Sequence, residues 1–185
     1  MNFCTDNWYV MSVWMGKENS VVRDIKAYNA EKGIKNISPF IPMKERFFKK
    51  GDCAKKENIM MFPGYVFAET PMGTGEFLSY ARGVRWRYEN PIEVLSYGDS
   101  GEYALRMEER ILLMQLMNHE WCVSASVGFK ENGKTKIISG PLRGFEAKIT
   151  KVDKYKMRAW VELDMFEKKM TMEVGFENLD LPLYG

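Results

Sequence analysis

The only histidine among the 185 residues is His119, so a Ser-His-Asp constellation, a His-based acid/base pair and a His-rich metal site have no basis in the sequence. His119 follows a helical stretch and reads as a C-terminal cap. The three cysteines, Cys4, Cys53 and Cys122, are far apart and lack C-x-x-C pairing, which points to reduced structural thiols rather than a disulfide framework or zinc knuckle. A Cys53 nucleophile would sit in a lysine-rich loop with no histidine nearby in sequence to act as its base. Glu108 and Glu109 are adjacent, so on a helix they diverge and cannot jointly flank a substrate bond. Gly73-Thr74-Gly75 lacks the third glycine of a dinucleotide loop, and no G-x-x-x-x-G-K-[ST] occurs. The fourteen methionines have no Cys or His beside an M-x-M spacing and read as core filler. Nothing here predicts an enzyme, a resident metal or a cofactor.

What remains is binding chemistry. The net charge of +2 hides an excess of cations in the C-terminal third. Lys136, Arg143, Lys148, Lys151, Lys154, Lys156 and Arg158 face only Glu146 and Asp153 within that stretch. Such a run is either a solvated face that aids solubility or a site for a polyanion. The second feature is aromatic: Phe62-Pro63-Gly64-Tyr65-Val66-Phe67, with Trp8 and Trp14 near the start of the chain. These rings are either ordinary core or interface anchors, and Tyr65 is expected to be partly exposed.

The elements that must hold these residues fall into two textures. Residues 7–15 are apolar on both period-2 faces, as in a central strand covered on both sides. Ser20 offers an N-cap and Val21, Val22, Ile25 and Tyr28 recur at helical spacing until Gly33. Residues 37–43 carry Pro39 and Pro42, so their ladder must be interrupted or at an edge. Residues 44–56 read as an exposed hairpin or mobile loop turning at Gly51-Asp52, and 60–68 as a strong strand bent at Pro63. A short helix over 76–81, a break at Gly83 and a strand over 84–88 complete a β-α-β-β-α-β order. A helix follows over 103–117. The predicted class is α+β, with an αβ sandwich on an antiparallel sheet. From Ser126 the pattern changes to short strands over 136–139, 145–152, 157–163 and 170–174, a small β-barrel. The expected division is a first domain over 1–118, a linker over 119–125 and a barrel over 126–185.

This order of elements, with Trp8-Tyr9-Val10, the Phe62–Phe67 strand and Ser139-Gly140-Pro141-Leu142-Arg143-Gly144-Phe145, resembles the NusG family of transcription elongation factors, an NGN-type domain followed by an SH3-like KOW barrel. Phe40-Ile41-Pro42-Met43-Lys44-Glu45-Arg46, Tyr97-Gly98-Asp99 and Ala104-Leu105-Arg106 are most similar to the LoaP branch of specialised antitermination paralogues. Ala147 stands where KOW motifs commonly have glycine. The resemblance implies an operon-specific elongation factor promoting processive antitermination. Its first domain would bind the RNA polymerase clamp helices through Phe62, Tyr65, Phe67, Trp8 and Trp14. Lys17 and Arg23 would touch non-template DNA. The barrel would hold a hairpin of nascent leader RNA through the seven cations named above, with Trp160, Tyr155 or Phe145 stacking on a loop base. The alternative is a general elongation factor whose barrel binds a protein, such as a ribosomal protein.

The longest uncharged apolar run is about ten residues, short of the roughly 20 that span a bilayer, and the start lacks the basic and apolar regions of a signal peptide. A cytoplasmic monomer is expected, with no membrane partner.

Overall fold

The computed structural model describes residues 6–50, 53–89, 91–98 and 100–179. The turn expected at Gly51-Asp52, together with Asp99 and Cys4, lies outside them. Along the chain run β1 (Asn7–Ser12), α1 (Glu18–Lys32), β2 (Ser38–Phe40), β3 (Met43–Lys50), β4 (Cys53–Met60), β5 (Tyr65–Thr70), α2 (Thr74–Tyr88), β6 (Glu93–Val94), α3 (Met107–Leu116), β7 (Cys122–Val123), β8 (Ser126–Glu131), β9 (Lys134–Ser139), β10 (Ile149–Asp153), β11 (Arg158–Met165) and β12 (Lys168–Asn178). The chain forms two compact units, Met1–Pro42 with Phe62–Arg110, and Met43–Met61 with Ile111–Gly185. Compactness thus groups the 43–61 segment with the C-terminal strands, whereas the sequence suggested one boundary near residue 124.

In the first unit the sheet has the order β2-β5-β1-β6, and Pro39 lies on its edge strand, where no ladder donor is needed. Excluding the 43–61 segment, the order is the expected β-α-β-β-α-β. The face carrying Tyr9, Met11, Val66 and Ala68 packs with Val21 and Ile25 of α1 and Phe77 and Val84 of α2 in one core, and Tyr9 stacks on Phe77 with centroids 4.1 Å apart. Two polar groups are satisfied inside it. The Tyr80 hydroxyl donates to Asn29 Oδ1 at 2.6 Å, and Asn29 Nδ2 donates to Ile37 O at 3.2 Å.

Three expectations change here. Residues 84–88 are not a strand, because α2 continues through them to Tyr88. Gly83, read as a break, is a packing glycine: a Cβ there would collide with the Tyr28 hydroxyl and stand 3.1 Å from Tyr28 Cζ. The helix α1 begins at Glu18, before the proposed Ser20 cap. Glu18 is buried, and its Oε1 accepts the Gly64 N–H at 2.7 Å.

In the second unit β3 and β4 pair as a hairpin, the first of the two readings offered for this stretch, and β3 also pairs in parallel with β7, Met43 opposite Cys122. A five-stranded sheet follows in the order β10-β11-β12-β8-β9, curled around Val161, Leu163, Val174, Phe176 and Leu142, all buried. It is a half-barrel: β9 and β10 end the sheet and are not paired with each other. The strand predicted over 145–152 opens instead as a 3-10 turn, Glu146–Lys148, which holds Ala147. The hairpin lies along β12. A Cβ at Gly175 would stand 2.9 Å from both Glu45 O and Ala125 Cβ. Arg46 and Arg158 share the Glu173 carboxylate, at 3.2 Å and 2.9 Å, and Glu45 Oε2 accepts the Ala125 N–H at 2.7 Å.

Candidate functional site

The aromatic residues singled out in the sequence divide between interior and surface. Antiparallel pairing sets Val10 opposite Phe67, Phe40 opposite Phe67 and Trp8 opposite Glu69, so Trp8, Phe40 and Phe67 share the sheet face away from the Tyr9–Met11 core. Their rings meet one another: Trp8 is edge-on to Phe40 at 5.1 Å, Phe40 is 5.5 Å from Phe67, and Phe62 stacks on Phe67 at 5.8 Å. Trp8 Nε1 donates to Glu69 Oε1 at 3.1 Å. Trp8 is 1% exposed, Phe67 0% and Phe62 9%. In the intact chain these three rings are buried; strand alternation assigns them a common face but does not say whether that face meets solvent. Tyr65 is half-buried, and Trp14 is 66% exposed.

Trp14 is exposed because β1 stops at Ser12. Val13 N donates to Gly64 O and Lys17 N donates to Trp14 O, both at 2.9 Å, and this turn carries Trp14 and Met15 out of the sheet. They are accompanied by a residue the sequence reading missed, Trp86, which is 83% exposed. Trp14, Arg82, Arg85, Trp86, Glu89 and Pro91 line a cleft of about 610 Å³. A second cleft of about 370 Å³ shares Trp14, Arg85 and Pro91 with it. Helical continuation of α2 is what gathers Arg82, Arg85, Trp86 and Glu89, which recur at three- and four-residue spacing. The signal was present in the buried residues Phe77, Tyr80, Ala81 and Val84, whose helical period runs unbroken through Gly83. Arg87 pairs with Glu31 at 3.3 Å, whereas Arg82 and Arg85 form no ion pair among the described residues. Exposed Trp beside unpaired Arg is the composition of interface anchors, and also of a surface that takes unpaired bases and phosphates. Lys17, the N-cap of α1, and Arg23 are both exposed.

Three of the predicted cations of the second unit are engaged by carboxylates. Lys136 pairs with Glu131, Lys148 with Asp164 at 3.9 Å, and Arg158 with Glu173. Lys154 and Lys156 flank Tyr155 on the β10–β11 turn, where the ring is 86% exposed. Lys156 N donates to Asp153 Oδ1 at 2.9 Å, and that bond holds the Asp153 carboxyl below its ordinary range. Arg143 is exposed in the turn after β9, its N–H donating to Gly140 O at 3.2 Å. Lys151 Nζ lies 4.9 Å over the Trp160 ring, a cation–π contact that keeps the charge on the surface. Trp160 and Phe145 are half-buried. Lys130 and Lys134, absent from the sequence-derived set, lie beside Lys151 on the rim of one cleft.

Comparison with known proteins adds to this geometry. A family profile described as "Transcription termination factor nusG" matches residues 6–85. The chain is 26% identical over 177 residues to the transcription termination/antitermination protein NusG of Staphylococcus carnosus, covering 94% of each chain. It is 25% identical over 189 residues to the protein of the same name from Bacillus subtilis, covering 94% of this chain and 97% of that one. Among solved structures, one titled "Domain interaction in Thermotoga maritima NusG" is similar in fold, with a TM-score of 0.50 at 21% identity, covering 92% of this chain and 93% of that one.

Proposed function

We propose, from a chain whose residues 6–85 match the NusG family profile and which is similar to NusG proteins over nearly its whole length, that the protein is a NusG-like transcription factor without catalytic activity. In the finer reading it is a LoaP-like, operon-specific factor that promotes processive antitermination. The first unit engages the clamp helices of RNA polymerase, and the second tethers a hairpin of nascent leader RNA. Tethering raises the factor's local concentration at one operon, so modest contacts on each unit suffice.

The observation that carries this reading is the exposure of Trp14 and Trp86 on one cleft of the unit that holds the family match. Two solvent-facing tryptophans are costly for a protein without a partner and are typical of anchors in one that has it. In this reading they join Tyr65 in meeting the transcribing polymerase. Arg82 and Arg85, with Lys17 and Arg23, lie toward the non-template DNA strand. The test is retention of purified RNA polymerase on the immobilised full chain. Trp14→Ala combined with Trp86→Ala should lower retention about tenfold or more, two anchors at over 1 kcal/mol each, while leaving the circular dichroism unchanged. Unchanged retention would remove the Trp14–Trp86 anchor from the proposal.

A second reading has its own support. The ion pairs of Lys136, Lys148 and Arg158 spend part of the basic run on neighbouring carboxylates, which suits a general elongation factor whose half-barrel binds a protein such as a ribosomal protein. A partner captured from extract after nuclease treatment, with no RNA retained by the purified chain, would favour it.

A further inference from the structure

The curled sheet of the second unit has an open seam. The strands β9 and β10 stand at its two ends, and between them lies a cleft of about 530 Å³ lined by residues of β8, β9, β10 and the 3-10 turn. Three cations stand on its rim, Lys130 from β8, Lys134 from β9 and Lys151 from β10. All three are exposed, and none forms an ion pair among the described residues. The one acid in the lining, Glu146, has its carboxylate engaged by the Gly144 N–H at 2.9 Å. The cations predicted from sequence that do pair, Lys136, Lys148 and Arg158, have carboxylates within reach.

We propose that this seam is where the half-barrel holds the phosphates of RNA, with Lys130, Lys134 and Lys151 as the contacts. The inference rests on the reading above that this unit meets RNA, and assigns the site within it. Lysines converging from three strands neutralise successive phosphates, while the outer edges of β9 and β10 add unpaired backbone N–H donors. An extended acidic peptide is the rival occupant. A strand added to an edge needs apolar recesses for alternate side chains; the apolar residues of this lining are Ala147, Ile149 and Val152, set among three lysines and two threonines. Lysine on a strand edge also works against strand addition.

The experiment uses the full chain and two fluorescent RNAs of about 20 nucleotides, one oligo-uridine and one hairpin, with a DNA of the same hairpin sequence. Binding is followed against salt for the wild type, for K130Q/K134Q/K151Q and for a control on other lysines of the same unit, K55Q/K168Q/K169Q. Each lost phosphate contact should lower the log–log salt slope by roughly 0.7 to 0.9. The seam variant should therefore lose about two units of slope and about tenfold or more in affinity at low salt, with the control within about threefold of wild type. A seam variant that keeps its slope, or a control that loses as much, overturns the seam while leaving RNA binding by this unit standing. No binding by the wild type at low salt overturns both. Equal binding of the DNA hairpin overturns the commitment to RNA, and displacement by poly-glutamate at equal charge concentration hands the seam to acidic peptides.

Discussion

Gly83 shows how a residue's role depends on its neighbour rather than its type. In sequence it looks like a helix stop; in the fold it lets α1 and α2 approach until the Tyr28 ring touches the α2 backbone. Gly83→Ala should destabilise the protein by about 1–3 kcal/mol through overpacking, and adding Tyr28→Phe should return part of that, both read from urea midpoints. The buried phenols give a pH prediction. Burial raises the Tyr80 pKa, with Tyr28 adding to the effect, and burial also raises that of Tyr97, helped by its hydrogen bond to Glu109. The unfolded chain loses these protons near pH 10, and the folded chain keeps them to higher pH. Their contribution to stability is therefore complete below about pH 10 and falls as pH rises toward the folded values. A urea midpoint that stays level from neutral pH to about 11 would contradict this, and Tyr80→Phe should flatten the fall. At this scale sequence reading expected Tyr65 to be partly exposed and named Trp14 as a candidate anchor but missed Trp86, because ending the helix at Gly83 dissolved the face on which Trp86 stands.

Among the elements, the hairpin β3–β4 is held by contacts that no local pattern announces. Its exposed, charged texture and its turn were legible, with a hairpin as one of two readings. Its partner was not, since β7 and β12 lie about 80 and 130 residues further along and pairing at that distance leaves no periodic trace. Backbone meets backbone where Glu45 O faces Gly175. Gly175→Ala should push the hairpin outward, loosen Arg46 from Glu173, and speed amide exchange in β3 and β4 while β8 and β9 stay protected. Exchange unchanged in β3 would mean the close approach is dispensable. The turns of the half-barrel were readable from Asn132-Gly133 and Gly140-Pro141, where Asn132, Gly133 and Gly140 take the left-handed backbone those residue types tolerate, whereas Phe166 and Glu167 adopt it against their own preference. The open side of the sheet was not, because each strand reports its own pleat and not which neighbour it lacks.

For the molecule as a whole, the ordered set of motifs carried more than any one of them. Trp8-Tyr9-Val10, Phe62–Phe67 and Ser139–Phe145 sit on β1, on the turn into β5 with β5, and after β9, in the succession that the resemblance requires. Charge counting was weaker. It located a basic stretch but could not see that ion pairing divides it, because carboxylates such as Glu131, Asp164 and Glu173 lie outside that stretch.

The excursion of residues 43–61 into the second unit means that the polypeptide passes between the two units three times. Dissection at the bench must reckon with that. A recombinant piece ending at residue 124 would keep the hairpin yet shear away β12, baring Phe47, which is sheltered in the intact chain. Such a piece should be sticky and prone to precipitate, whereas nicking the whole protein at the same place should yield two fragments that travel together through a sizing column.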